Sequence, residues 1–388
     1  MKKFVFFLLI TIFSPELKAQ KSDVVDRYNR TAFEFYHLFL QSEKNSVFSP
    51  FLVINNLSAA YMAANSYTYL QMANFLDFPV KQDEFLKQYK SLNGILAENN
   101  NLSTRLEATM SVWLEDSLKE YIVDDRDKQI AKELKNDVLY IDFTKSPETV
   151  SKMINLWFKR STLGGVEPIN KLEPVKGGML LVSSGFFTGN WQNNFTSVYK
   201  APFYLDKYGR RTKSLEYLTV NDYFKVADGK DFQVIEIPYE NNKMSLIIIL
   251  PHKDLNLGDI QQQINYDEYQ LVEQGLNLQR VRIFLPILDV KSQYTLKDSL
   301  SKYMPTLFSR KANLTRMFRK LVWVDEAYHS MKFSIEPETM LPSTRFLSFD
   351  DQAGTRTIFI NRPFVFFVKD NRTGAIVLFG HVFKPNVY

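Results

Sequence analysis

The chain has 388 residues and 45% hydrophobic content, enough for one large globular domain or two or three ordinary ones with a substantial core. It contains no cysteine, which excludes disulfides, a structural Cys–zinc site and a Cys nucleophile. Its formal charge of +5 falls to +3 without the first nineteen residues, too small an excess to argue for a nucleic-acid partner.

The predicted elements begin with a processing signal. Lys2 and Lys3 precede an apolar run over residues 4–13, then Ser14-Pro15 and the small Ala19. This pattern predicts a secretory signal peptide over residues 1–19, cut after Ala19, and hence an extracellular protein. The run is too short to span a bilayer, no later stretch is long enough, and no membrane partner is expected.

Residues 22–41 carry Tyr28, Ala32, Phe35, Phe39 and Leu40 near helical spacing. Ser49 is a natural N-cap, with Pro50 as first helical residue before Ile54, Leu57, Ala60, Tyr61 and Ala64. Helices are also predicted over 83–99, 126–136 and 147–161, the last ended by glycine chemistry at Gly164-Gly165. A strand is predicted over 106–114.

The C-terminal stretch holds three apolar runs. Met331-x-Phe333-x-Ile335 alternates with polar residues and predicts a half-buried strand. Residues 358–368 and 376–382 are nearly continuous in Phe, Val and Ile and predict buried strands, joined by the hairpin turn Asn371-Arg372-Thr373-Gly374. Between the first and second lie roughly twenty residues with two prolines and no period, whereas structureless loops longer than ~15 residues are seldom found in compact domains unless they are functional or disordered.

Catalytic motifs are missing. None of His37, His252, His329 and His381 sits in an H-E-x-x-H pair, and there is neither a G-x-S-x-G elbow nor a phosphate-binding glycine loop. Asp124-Asp125 and Asp350-Asp351 read as solvated charge. No enzyme, metal or cofactor is expected. Sequons at Asn29, Asn101, Asn194, Asn313 and Asn371 are expected glycan sites, whereas Asn56 falls in a packed helix. Arg310, Lys311, Arg316, Arg319 and Lys320 cluster without an intervening acid; they read first as solvated surface and second as a heparin-type polyanion site.

A strand, a long loop, then Asn361-Arg362-Pro363-Phe364 and a buried hairpin ending in Phe379-Gly380-His381-Val382 resemble the serpin family. Other segments are similar to that family in order and spacing: Val47-Phe48-Ser49-Pro50, Thr68-Tyr69-Leu70, Ile154-Asn155-Leu156-Trp157, and Phe186-Phe187-Thr188-Gly189-Asn190-Trp191. So are Ser245-Leu246 through Leu250-Pro251, and Val281-Arg282-Ile283-Phe284-Leu285-Pro286. The resemblance covers residues 25–388. Pattern alone gives a large mixed α+β domain. The resemblance implies more: a monomeric α+β serpin fold over residues 20–388, with three β-sheets, about nine helices and an exposed reactive-centre loop at about 337–357.

The resemblance also implies a mechanism without a catalytic residue. A target serine protease cuts the loop, and the loop's N-terminal part enters the main sheet as an extra strand. The hinge falls on Glu338, Thr339, Met340, Leu341, Pro342, Ser343 and Thr344. Thr339 replaces the family's glycine, while Met340, Leu341 and Pro342 break its run of small residues. Family spacing places the cut near Gln352 or Ala353, within Asp351, Gln352, Ala353, Gly354 and Arg356; Arg345 or Arg356 would attract a trypsin-like protease. Trp191 matches the family's tryptophan at the end of a main-sheet strand. His329 matches a buried histidine that, with Ser49 and Ser183, controls opening of that sheet. Leu52 and Ser183 stand where the family has a serine and an asparagine, leaving His329 fewer expected bonds. Two readings stand: a secreted serine-protease inhibitor, or a non-inhibitory serpin acting as carrier, ligand or decoy substrate.

Overall fold

The structure, a computed structural model, describes residues 23–39, 43–97, 104–161, 166–193, 195, 197–336 and 355–385. The signal segment, Asn101, Asn194, residues 162–165, the hinge at 338–344 and the region 351–354 lie outside the described residues.

The chain begins with α1 (Asp23–Leu38), β1 (Ser46–Phe48), α2 (Pro50–Ala63), α3 (Ser66–Leu76), α4 (Gln82–Ala97) and β2 (Thr104–Glu115). A 3₁₀ turn (Asp116–Tyr121) leads to α5 (Arg126–Leu134), β3 (Asp137–Ile141), α6 (Pro147–Ser161) and β4 (Gly178–Gly189). Then come β5 (Ser197–Tyr204), β6 (Thr212–Asp228), β7 (Phe232–Pro238), β8 (Met244–Pro251), α7 (Leu257–Gln261), α8 (Tyr266–Gln274) and β9 (Asn277–Pro286). The chain closes with β10 (Leu288–Thr295), α9 (Lys297–Leu300), β11 (Trp323–Ile335), β12 (Arg356–Phe359), β13 (Phe364–Asp370) and β14 (Ile376–Val382).

One sheet has the order β10-β11-β4-β2-β3, with β11–β4 and β2–β3 parallel. The other runs β1-β14-β13-β8-β7-β6-β9-β12, with β5 also on β6. The three implied sheets therefore appear as two hydrogen-bonded units. The 17-residue β6 joins two of them: its first half pairs with β5, residues 217–226 with β9, and its last four residues with β7.

Helix α2 lies between the two sheets, against β2 and β4 of one and β14 of the other. Its start follows from sequence: the Ser49 hydroxyl accepts from the Leu52 N–H (3.3 Å), and Pro50 fills the first position. Every α2 residue is buried, Asn55, Asn56 and Ser58 included.

β13 and β14 are also buried along their whole length. Phe379 is ringed by Tyr36 (4.6 Å, stacked), Phe33 (4.8 Å, edge-on) and Phe367 (5.4 Å). The turn between the strands forms because Asp370 accepts from the Arg372 and Thr373 N–H groups (3.0 and 2.9 Å) and Gly374 supplies a φ of +82°. Gly380 lets β1 close on β14, since a Cβ there would meet the Ser46 carbonyl at 2.2 Å. The two ends of the chain are tied by Asn45, whose Oδ1 accepts from the Phe383 and Lys384 N–H groups, each at 2.8 Å.

β11 is more enclosed than its alternation predicts. From Ala327 to Ile335 only Lys332 escapes burial. The strand is internal to its sheet. One face meets α2, while Tyr328 on the other joins a small core with Ile154 and Phe158 of α6 and Ile169.

Candidate functional site

β4 and β11 lie side by side and parallel, paired from Gly178↔Trp323 to Phe187↔Phe333. β11 ends at Ile335, and the chain re-enters the described structure at Thr355, just before β12, the outer strand of the other sheet. The described chain thus leaves off at the β4–β11 seam and resumes at a sheet edge.

The seam is bridged by side chains on both faces, because successive strand residues point in opposite directions. Toward α2, His329 faces Ser183. The His329 Nε2 accepts from the Ser49 N–H (3.0 Å), so its proton sits on Nδ1, which donates to the Ser183 hydroxyl (2.9 Å). Burial pushes this imidazole down to about 3, so it is neutral at ordinary pH. Both ring nitrogens are thus bonded, to the two partners that the resemblance implied. Leu52 does not leave a gap either. A Cβ on Gly185 would meet the Leu52 Cδ1 and the Met331 Sδ, each at 2.9 Å, so glycine in β4 makes room for both apolar groups.

On the opposite face a second bridge forms that sequence reasoning missed. Ser330 donates to the Ser184 hydroxyl (2.8 Å), and Ser184 donates to the Val166 carbonyl (2.5 Å). Ser330 also lies 3.1 Å from that carbonyl. The signal was present in the doublets Ser183-Ser184 and His329-Ser330, read with a strand period of two.

Near the loop end of the seam, Trp191 is 3% exposed and stacks on Tyr239 at 4.6 Å. Tyr239 in turn meets Phe187 at 5.3 Å, and Phe333 stacks on Phe366 at 4.6 Å. These rings join the seam to the second sheet.

Other candidate residues move in meaning. Arg356 is not available as a specificity residue. It opens β12 opposite Val281 and forms a fork with Asp228 (2.8 and 2.5 Å), also donating to the Gln233 Oε1 (3.0 Å). That guanidinium holds the Asp228 carboxyl below its usual range. Residues 356 and 357 belong to this strand rather than to the implied loop.

Two expected glycan sites are also corrected. Asn29 is 1% exposed; its Nδ2 donates to the Gly374 carbonyl (2.9 Å) and its Oδ1 accepts from the Ile376 N–H (3.0 Å). The Asn371 Nδ2 donates to Asn242 and to the Ser245 hydroxyl (2.8 Å). A glycan on either nitrogen would displace these bonds. Asn313 differs: its Nδ2 makes only a long bond to the Ser66 hydroxyl (3.4 Å).

None of Arg310, Lys311, Arg316, Arg319 and Lys320 makes an ion pair among the described residues. Three lie over aromatic rings: Arg310 over Trp323 (5.6 Å), Arg316 over Tyr69 (4.3 Å) and Lys320 over Tyr121 (4.9 Å). The patch adjoins the start of β11, at the far end of that strand from the loop.

A family model described as Serpin (serine protease inhibitor) matches residues 26–385. The chain belongs to the serpin family. An uncharacterized serpin-like protein of Methanosarcina acetivorans is 21% identical to it over 379 residues, 94% of this chain and 87% of that protein. The leukocyte elastase inhibitor of Bos taurus is 25% identical over 363 residues, 88% of this serpin and 93% of the relative. Uncleaved ovalbumin superposes with a TM-score of 0.81 at 20% identity, covering 93% of this chain and all of that one (100%). Human thyroxine-binding globulin complexed with thyroxine gives 0.82 at 18% identity, covering 94% and 99%. At these identities the structural likeness establishes the serpin fold. Within it, His329, Ser49 and Ser183 come together as the resemblance implied, at the β4–β11 seam.

Proposed function

We propose that this serpin is secreted, that a serine protease cuts its reactive loop, and that trapping of the protease is weak or lost. Pro342 carries the reading. An inserted strand must pair residues 340–346 on both sides, and proline has no N–H to give to a ladder. Thr339 in place of the hinge glycine and Phe346, which insertion would bury, act in the same direction. So does the closed seam, where ten residue pairs and both serine-containing bridges must part before a strand enters. If insertion is slower than deacylation, the products are a cut serpin and a free protease. The protein then serves as a decoy substrate, carrier or ligand.

Incubation with trypsin-, chymotrypsin- and elastase-like proteases is expected to give loop cleavage without an SDS-stable complex on a denaturing gel. A stable complex with any of them would establish the alternative reading, efficient inhibition, which the likeness to leukocyte elastase inhibitor favours.

Secretion rests on the pattern of residues 1–19. N-terminal sequencing of exported protein should begin near Gln20, and material beginning at Met1 would refute it. The cations of residues 310–320, which make no ion pair among the described residues, suit a sulfated polysaccharide, held by charge that salt screens. A Lys311→Gln/Lys320→Gln variant should leave a sulfated matrix at lower salt than the parent. Identical elution would return the patch to plain solvated surface.

A further inference from the structure

A cavity of about 390 Å³ opens between the β5–β6 turn, the segment after β8 and the chain after β12. Small-molecule sites commonly span about 300–1,000 Å³. Its lining includes the rings of Tyr204 and Tyr208, the apolar Leu255 and Pro363, and three cations, Lys207, Lys253 and Arg362.

The charge on these walls is one-sided. Asp206 is the single carboxylate among the described lining residues, and its oxygens are already engaged. They accept from the N–H groups of Tyr208 (3.0 Å), Arg210 (3.2 Å) and Arg211 (3.0 Å), and Asp206 also pairs with the Arg211 guanidinium at 3.4 Å. Lys207 reaches Asp259 only at 3.7 Å. Lys253 makes no ion pair among the described residues.

Arg362 is the telling member. Its Nε donates to the Pro251 carbonyl (2.7 Å) and its Nη1 to the Phe359 carbonyl (3.4 Å). Both acceptors are neutral, and among the described residues no carboxylate pairs with it. Burial pushes its guanidinium down to about 10, the mark of a desolvated cation without a counter-ion. A guanidinium fork matches a carboxylate in plane and spacing, so an entering anion would supply what the protein withholds.

We propose that this cavity binds a small amphiphilic anion, an aryl or medium-chain carboxylate, with its charged group on Arg362 and Lys253 and its apolar body against Tyr204 and Tyr208. The ligand class follows from the pairing of unneutralised cations with apolar walls in a space of that size. The site lies beyond β12 and uses neither the hinge nor the β4–β11 seam, so it stands apart from whether the loop traps a protease.

The test uses the intact protein with 8-anilinonaphthalene-1-sulfonate as fluorescent probe, and decanoate and decanol as competitors. Decanoate is expected to displace the probe from one saturable site, with decanol at least tenfold weaker. Lys253→Glu, a change at an exposed residue, should weaken decanoate at least tenfold, and Arg362→Gln should do the same. Tyr208→Ala, also at an exposed position, should weaken both competitors alike and so report the apolar wall without touching the charge. Equal competition by decanol and decanoate would overturn the proposal. So would unchanged decanoate affinity in Lys253→Glu, whatever the folding state of Arg362→Gln.

Discussion

Cutting the loop of a Thr339→Gly/Pro342→Ala double variant is expected to raise its melting temperature by on the order of 10 °C or more, while the same cut in the parent chain leaves it nearly unchanged. A new strand between β4 and β11 would be hydrogen-bonded on both sides over about ten residues. With each net bond worth roughly 0.5–1.5 kcal/mol, the gain is on the order of 10 kcal/mol. In a chain this long, each kcal/mol moves the melting point by roughly 1–2 °C. Alanine at 342 restores the missing donor, and glycine at 339 restores the hinge. The barrier that remains in the variant is the seam itself: the His329–Ser183 contact on one face, the Ser330–Ser184 contact on the other, and Met331 and Leu52 set against Gly185. Differential scanning calorimetry before and after cleavage reads the outcome. A large rise in the parent chain would mean that Pro342 is tolerated in the sheet and that the weak-trapping reading is wrong. No rise in either chain would mean that the closed seam, rather than the hinge, bars entry.

The second large effect is a pH dependence lodged in one residue. Folding holds the His329 imidazole near 3, whereas an unfolded histidine titrates near about 6.5. Below about 6.5 the unfolded chain therefore takes up a proton that the folded chain refuses, and stability falls as pH falls. The stabilisation is fully present above the unfolded value and is lost on the way down to the folded one, at up to about 1.4 kcal/mol per pH unit. His329→Gln removes the titration, although losing the bonds to Ser49 and Ser183 costs about 1–3 kcal/mol at pH 7. Urea unfolding of the two proteins should show the parent's advantage shrinking by roughly 2–3 kcal/mol between pH 7 and pH 4.5. Carboxylates titrate in both proteins and cancel in the difference. A gap that stays constant across that range would show that His329 is not held neutral.

Much of the fold was legible because it rests on local rules. The Ser49 cap, Pro50 at the start of α2, the Asp370–Gly374 turn and the continuous apolar runs of β13 and β14 each carry their own signal. The site was legible where the family resemblance named residues outright: His329 with Ser49 and Ser183. What escaped depends on pairs far apart in sequence. Leu52 looks like the loss of a polar partner until Gly185, in the strand beneath its helix, is seen to receive it. Ser330 looks like filler until β4 sets Ser184 beside it. Asn29 satisfies a three-residue pattern, but its amide is spent on the β13–β14 turn more than three hundred residues away. Arg356 reads as exposed until β9 pairs with its strand and Asp228 comes within reach. For Ser330 and Arg356 the deciding neighbour is supplied by sheet register, and for Leu52 and Asn29 by a helix packed on a strand or turn; no local window contains either.

The order in which the nine-stranded sheet is assembled has a consequence for synthesis. β13 and β14, buried along their whole length, are the last of its strands in the chain, yet they stand between β8 and β1, and α1 packs on β14. On a nascent chain emerging at about 5–20 residues per second, β8 gains no second neighbour until residue 370 has left the ribosome. Until then the edge at Met244–Pro251, eight residues without a charge, lacks its β13 partner, and α1 can meet α2, α3 and α8 but not β14. The interior of this sheet therefore closes late, when residues 364–382 enter between β8 and β1.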